Sequence, residues 1–102
     1  MKPKKLKLPA IPENAITQQI RSYLRVKRIP HYKAWQGLGS EKGVSDIVGV
    51  LPGGRALFIE VKGQKGKLSP YQERFLETMK AAGAKAFVAR SSKDVEEELA
   101  KP

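Results

Sequence analysis

Residues 43–62, GVSDIVGVLPGGRALFIEVK, contain two apolar segments on either side of a Pro-Gly-Gly turn. Asp46 begins the first segment, and Glu60 interrupts the second directly before Val61 and Lys62. Carboxylates are seldom buried in a packed sheet unless a partner compensates their charge. The stretch therefore predicts an antiparallel hairpin that carries two acids for a specific purpose.

The length of the turn decides which side chains of the hairpin meet. A four-residue turn would set Glu60 opposite Ile47 and send Asp46 to the other face. A turn of three or five residues, or a bulge, would set Glu60 opposite Asp46. We predict the second arrangement, because opposed Cβ atoms lie about 5 Å apart, within reach of one shared cation. Alternation then places Phe58, Glu60 and Lys62 on one face and Leu57, Ile59 and Val61 on the other.

Length and composition restrict the possible classes of protein. The 102 residues, 40% of them apolar, suit one domain with a modest core. The chain has no cysteine and a single histidine, His31, which excludes disulfides, thiolate zinc sites and histidine clusters. Any bound metal must therefore be held by oxygen ligands.

The formal net charge of +10 favours a polyanionic partner. Residues 1–12 form a basic segment with four lysines and no acid, and we predict that residues 2–7 are disordered. An anionic membrane is the competing partner, but three prolines and no amphipathic period argue against a surface helix. A nuclear-localisation role is a weaker alternative. With no membrane-length apolar segment, we expect an intracellular protein of a bacterial or phage-infected cytoplasm.

The periodicity of the chain predicts an α/β domain over residues 13–102 with the order α-β-β-β-α-β-α and a mixed sheet flanked by helices. The loop at residues 37–43 lacks the spacing of a nucleotide-binding P-loop, and we predict flexibility near a ligand instead. The predicted elements are a helix over residues 13–27, strands over 31–36, 46–51 and 56–61, a helix over 70–82, a strand over 84–89, and a helix capped by Ser91 or Ser92.

Two polar residues outside the hairpin allow two interpretations each. Glu13 precedes Ile16 by three residues, which places it on the inward face of the first helix as a site candidate. It is equally explained as an acid in the first turn, favoured by the helix dipole. Gln72 follows Ser69 by three residues, which is typical of a capping box. Contact with a substrate or a site water is the alternative.

The two hairpin acids lie in an otherwise basic stretch and suit metal-assisted phosphodiester hydrolysis. Hard, oxygen-ligated Mg²⁺ or Mn²⁺ neutralises charge on the phosphoryl oxygens and activates a water. Lys62 would orient that water or stabilise the charged transition state. The alternatives are a structural ion-pair cluster and, for Lys62, an ordinary lysine at a strand end.

Asp46 followed by Glu60-Val61-Lys62 across a hairpin, with Glu13 on the preceding helix, resembles the PD-(D/E)xK nuclease superfamily. It is most similar to the VRR-NUC (virus-type replication-repair nuclease) branch, and more distantly to Holliday-junction resolvases. The resemblance implies a restriction-endonuclease-like fold. It also implies that Asp46, Glu60, the Val61 carbonyl and Glu13 hold Mg²⁺ or Mn²⁺ and that Lys62 assists the water.

Gln72 matches a glutamine of this branch, which favours a functional role for it, and Ser45 stands where the superfamily name has proline. The resemblance further implies a homodimer. We therefore expect a metal-dependent, structure-selective DNA endonuclease acting on branched, flapped or junction DNA in replication, recombination or repair. The alternative is a non-catalytic basic nucleic-acid-binding module. The phosphate contacts are predicted at Arg25, Lys27, Arg28, Lys33, Lys42, Lys65 and Lys67.

Overall fold

The structure is a computed structural model that describes residues 10–35 and 41–102. The predicted disorder of residues 2–7 falls outside these ranges. So do Gln36, the predicted end of the first strand, and most of the loop predicted to be flexible. In the described part, no helix is both long enough and apolar enough to span a membrane.

The described residues form three helices and a four-stranded mixed sheet in the predicted order. The sheet order is β1-β2-β3-β4, with antiparallel pairing of β1 to β2 and of β2 to β3 and parallel pairing of β3 to β4. The elements are α1 (Glu13–Val26), β1 (His31–Lys33), β2 (Ile47–Val50), β3 (Ala56–Val61), α2 (Pro70–Ala81), β4 (Lys85–Ala89) and α3 (Ser92–Leu99).

The β2–β3 hairpin has the register that brings the two acids together. Ile47 pairs with Ile59 in the ladder, and one further step sets Asp46 opposite Glu60. The turn has three residues, because the Leu51 amide donates to the Arg55 carbonyl across 2.8 Å. Pro52 supplies the fixed φ that starts the turn, and Gly53 and Gly54 both adopt φ of +92°. The predicted register, with Glu60 opposite Asp46, is therefore confirmed, and a three-residue turn produces it.

The two faces of the sheet carry different layers. The helices α1 and α3 cover one face and bury the main core, in which Leu57, Ile59 and Val61 are fully buried. The helix α2 covers the other face, where Phe58 meets Phe75 edge to face at 5.4 Å. The predicted alternation along β3 is confirmed, and it points Glu60 towards α2. The remaining core residues are Ile16, Ile20, Leu24, Ile29, Ile47, Phe87, Ala89 and Val95.

Two acids of α3 make contacts outside the solvated face of the helix. Asp94 accepts a hydrogen bond from the Arg90 amide at 2.8 Å. Glu98 pairs with Lys101 at 3.0 Å and with Lys85, a buried lysine of β4, at 3.9 Å. These contacts tie the last helix to the sheet, because a buried ammonium needs a nearby acceptor.

Candidate active site

Asp46 connects three strands at one end of the sheet. Its backbone carbonyl accepts a hydrogen bond from the Ala34 amide, just after β1, at 2.8 Å. Its side-chain Oδ2 accepts another from the Val61 amide, on β3, at 2.7 Å. The first bond fixes the backbone of Asp46 against β1, and the second holds its carboxylate in one orientation.

Glu60 is a buried acid, with a side chain only 3% exposed. Its Oε1 accepts a hydrogen bond from the side-chain amide of Gln72 at 2.9 Å. Its Oε2 is buried and has no hydrogen-bond partner among the described residues. In the ionised form this oxygen is costly to bury, and its lone pair is open to a cation. In the protonated form Glu60 shares a hydrogen bond with Asp46, which contributes to its raised pKa.

The surroundings of Glu60 raise its pKa from the ordinary 4.5 to about 8. Burial is the largest cause, and the neighbouring Asp46 carboxylate adds to it, whereas the Lys62 ammonium opposes it. Two carboxylates this close resist simultaneous ionisation unless a positive charge compensates them. A divalent cation between them would supply that charge.

Lys62 lies beside the carboxylate pair. Its Nζ is 4.0 Å from Glu60 Oε1, and its side chain is only 15% exposed, so it is not an ordinary surface lysine. The loop that follows is held by Arg90, whose guanidinium donates to the carbonyls of Gly63 and Gln64. Arg90 is a positioning contact that the sequence did not predict, because it comes from 26 residues further along the chain.

Gln72 closes the predicted capping box and also contacts a site residue, whereas its contact with a substrate or a site water stays a prediction. Its backbone amide donates to Ser69 Oγ at 3.2 Å, and its Oε1 accepts from the Ser69 amide at 2.9 Å, which completes the capping box. The same side chain donates through Nε2 to Glu60. The cap therefore sets the amide orientation, because Oε1 is already engaged and only Nε2 is left to face the carboxylate.

Glu13 lies on the same side of α1 as the buried Ile16 and Thr17, three and four residues further on, and its role as a site residue stays a prediction. Its side chain is exposed in the first turn of the helix. As the first helical residue it points towards the helix N-terminus, where no preceding turn covers it. Its negative charge still contributes a minor part of the raised pKa of Glu60. Its interaction with the hairpin acids is therefore electrostatic.

The donors for a metal are therefore a pair of carboxylates rather than a larger cluster. Within residues 10–35 and 41–102, no three His, Cys, Asp or Glu side chains come together as a metal site. Mg²⁺ is commonly held by only one or two carboxylates, with waters and substrate phosphates completing its octahedron. The orphaned Oε2 of Glu60 beside Asp46 fits such a cation.

The segment that leads to Asp46 packs tightly against the start of α2. Gly43 adopts φ of +85°, and a Cβ at this position would lie 2.4 Å from the Tyr71 carbonyl oxygen. Lys42, next to it, places its ammonium 5.2 Å from the centre of the Tyr71 ring. Ser45 is fully buried, and its Oγ has no partner in the described structure. Sequence spacing did not indicate the roles of Gly43 and Tyr71.

The structure divides the predicted phosphate-binding residues into two groups. Lys33 pairs with Ile47, the neighbour of Asp46, and Lys42, Lys65 and Lys67 lie in the loops that flank the carboxylate pair. Arg25, Lys27 and Arg28 lie at the opposite end of α1 from Glu13. All seven are exposed.

The mixed sheet, with a carboxylate pair and a lysine at the end of its central hairpin, defines a nuclease-type α/β domain. The family model of the VRR-NUC domain matches residues 2–93, and this chain belongs to that family. A solved structure described as a VRR_NUC domain is similar to it, with a TM-score of 0.71 and 27% sequence identity. The match covers 86% of this chain and 94% of that one. Among curated proteins, no match is found.

Proposed function

We propose that this protein is a divalent-metal-dependent DNA endonuclease, selective for branched, flapped or junction DNA. The observation that carries the proposal is the buried Glu60, which lies beside Asp46 with one carboxylate oxygen unpartnered among the described residues. Family membership supports nuclease chemistry. The basic residues around the pair support a phosphodiester substrate.

Each residue of the site has a distinct task in this proposal. Asp46 and Glu60 would hold Mg²⁺ or Mn²⁺, with the Val61 carbonyl as a further ligand. When bound, the metal supplies charge neutralisation at the phosphoryl oxygens and a more acidic water. Lys62 presents a compact ammonium that orients the attacking water or stabilises the developing negative charge. Gln72 fixes the rotamer of Glu60, and Glu13 adds negative charge from outside the pair.

Two further expectations rest on the family resemblance. We propose that two copies form a homodimer, because one domain of this size offers little surface to hold a branched substrate. Selectivity should come from the shape of the DNA, since phosphate contacts carry little sequence information.

Titration with Mn²⁺ tests the metal site without requiring cleavage. A ligand that binds only the native state raises the free energy of unfolding, by about 2.7 kcal/mol at one hundred times its Kd. The melting temperature rises with it. We expect this rise in the wild-type protein and its loss in Glu60→Gln. A non-catalytic nucleic-acid-binding module, the alternative function, predicts no rise in either protein.

Incubation with single-stranded, duplex, flapped and four-way DNA in the presence of Mg²⁺ tests the activity. We expect cleavage of the branched substrates, and its loss in Asp46→Asn, Glu60→Gln and Lys62→Ala with the fold retained. Full cleavage by the Lys62→Ala protein would refute the mechanism. Equal cleavage of all substrates would refute the structure selectivity alone.

A further inference from the structure

A second basic site lies at the far end of α1 from Glu13. It is a surface pocket of about 360 Å³ where the end of α1 meets the start of β1. Within residues 10–35 and 41–102, its charged lining consists of arginines, and no acid takes part. The lining residues are Arg21, Arg25, Arg28, Ile29, Pro30 and His31.

The positive charge of this pocket is uncompensated within the described residues. None of its three arginines forms a salt bridge there. Among the residues that the structure describes, Arg25 donates only to the neutral Ser22 hydroxyl, at 3.2 Å. Three guanidinium groups without an acid repel one another, and a bound anion would relieve that repulsion.

Two nitrogens of the lining also lack partners. The Nε of Arg21 and the Nε2 of His31 are buried and make no hydrogen bond in the described part of the chain. His31 Nδ1 lies 2.9 Å from the Ile29 carbonyl oxygen, so it carries the proton and donates. With the proton on Nδ1, His31 Nε2 is a lone-pair acceptor and cannot donate to a phosphate. The Nε of Arg21 is a donor, and a buried donor is normally satisfied, so this nitrogen is open to an oxygen-rich ligand.

The backbone of Arg28 is unusual in a way that provides a test. Both α1 and α2 end in a Schellman motif. In each, the amide of the residue after the left-handed position donates a hydrogen bond to the carbonyl five residues earlier. In α2 the left-handed position is Gly83, with φ of +103°, whereas in α1 it is Arg28, with φ of +56°. Glycine is the residue that this position favours.

We propose that Arg21, Arg25 and Arg28 form a phosphate-binding pocket that holds one backbone phosphate of the bound nucleic acid. Guanidinium groups bind phosphate oxygens in pairs, which gives both affinity and geometry. This inference rests on the proposed function in taking nucleic acid as the ligand, but it concerns binding and not cleavage.

The distance between this pocket and the carboxylate pair would allow both to contact the same nucleic acid at different phosphates. His31 precedes Ala34, whose amide donates to Asp46, by three residues of extended chain. Such a segment spans about 10 Å, or roughly three nucleotides along one strand at 3.4 Å each. The pocket would therefore position the nucleic acid relative to the scissile phosphate.

Equilibrium binding of fluorescent four-way and duplex DNA, measured in EDTA at several salt concentrations, tests the pocket without any cleavage. We expect Arg25→Gln to weaken binding about tenfold, as for a lost charged hydrogen bond. The slope of log affinity against log salt should fall by about 0.9 for duplex DNA. Lys93→Gln is the matched control, because it removes one charge from an exposed residue of α3 outside the pocket.

Arg28→Gly separates binding from folding. It removes the guanidinium and installs the residue that the left-handed position favours, so the melting temperature should stay equal or rise while binding weakens. If Arg25→Gln and Arg28→Gly both bind with wild-type affinity and salt slope, the proposal is overturned. It is also overturned if the wild-type protein binds neither DNA in EDTA.

Single methylphosphonate linkages identify the phosphate that is held. We expect a neutral linkage at one defined position of the DNA to weaken binding by the wild-type protein. The same linkage should not weaken the already reduced binding of Arg25→Gln any further. Sensitivity only to a 5′-terminal phosphate, or competition by inorganic phosphate alone, would overturn the backbone assignment. Normal binding by the pocket variants together with DNA cleavage by the wild type would refute the pocket and leave the proposed function intact.

Discussion

The side-chain amide of Gln72 donates to Glu60 Oε1 at 2.9 Å while the same residue closes the capping box of α2. The start of a helix is thereby joined directly to a buried acid of the sheet. The cap orients the amide, and the amide orients the carboxylate. A local helix signal and a site contact are therefore one interaction network.

Substitutions at Gln72 and Ser69 should separate these two roles. Gln72→Glu keeps an oxygen for the cap but replaces the donor to Glu60 with a like charge, which should raise the pKa of Glu60 further. Ser69→Ala should cost about 1 kcal/mol of stability through the lost cap. It should move the pKa of Glu60 little. Titration of the Glu60 carboxyl carbon by NMR in EDTA measures both variants, and equal shifts would contradict the separation.

The raised pKa of Glu60 predicts a falling stability with rising pH in the metal-free protein. The folded state keeps its proton up to about pH 8, whereas the unfolded chain loses it near 4.5. Between these values folding takes up a proton, so the free energy of unfolding should fall by up to about 1.4 kcal/mol per pH unit. Urea unfolding from pH 5 to 8 in EDTA measures this slope. In Glu60→Gln the free energy of unfolding should hardly change with pH. A slope equal to that of the wild type would refute the assignment of the pH dependence to Glu60.

The bond between Asp46 and the Val61 amide predicts different effects for two substitutions at Asp46. Asp46→Asn keeps a side-chain oxygen for the buried Val61 amide, so stability should change little. Asp46→Ala leaves that donor unpaired and should cost about 1–3 kcal/mol. Chemical unfolding at pH 5, where Glu60 is protonated and charge repulsion is absent, makes the comparison. Similar losses for both variants would show that the hydrogen bond contributes little.

Gly43 should tolerate a side chain less well than Gly53. Both have positive φ, so alanine at either position costs about 1–2 kcal/mol of backbone strain. An alanine Cβ at position 43 would also meet the Tyr71 carbonyl, whereas position 53 is open. Gly43→Ala should therefore lose about a further 1–3 kcal/mol in chemical unfolding. It should also impair cleavage, because it displaces the segment that leads to Asp46. Equal stability losses would contradict the close contact.

The sequence by itself determined the element order and the hairpin register. These depend on signals that are close together in the chain, namely alternation along a strand and the chemistry of the Pro-Gly-Gly turn. Asp46 and Glu60 could be paired on a chemical argument, because only the register that sets them opposite each other brings both acids within reach of one cation. The cap of α2 was predictable because its signals are also close together in the chain.

Only the tertiary structure decided which side chains from distant elements meet at the site. The packing of α2 on the sheet brings Gln72 to Glu60 and leaves Oε2 unpartnered among the described residues, whereas the start of α1 leaves Glu13 exposed. Arg21 and Arg25 are four residues apart on α1, and only the left-handed turn after the helix brings Arg28 to the same pocket. Burial and pKa depend on what every neighbouring element contributes, and periodicity within one segment carries no information about those neighbours.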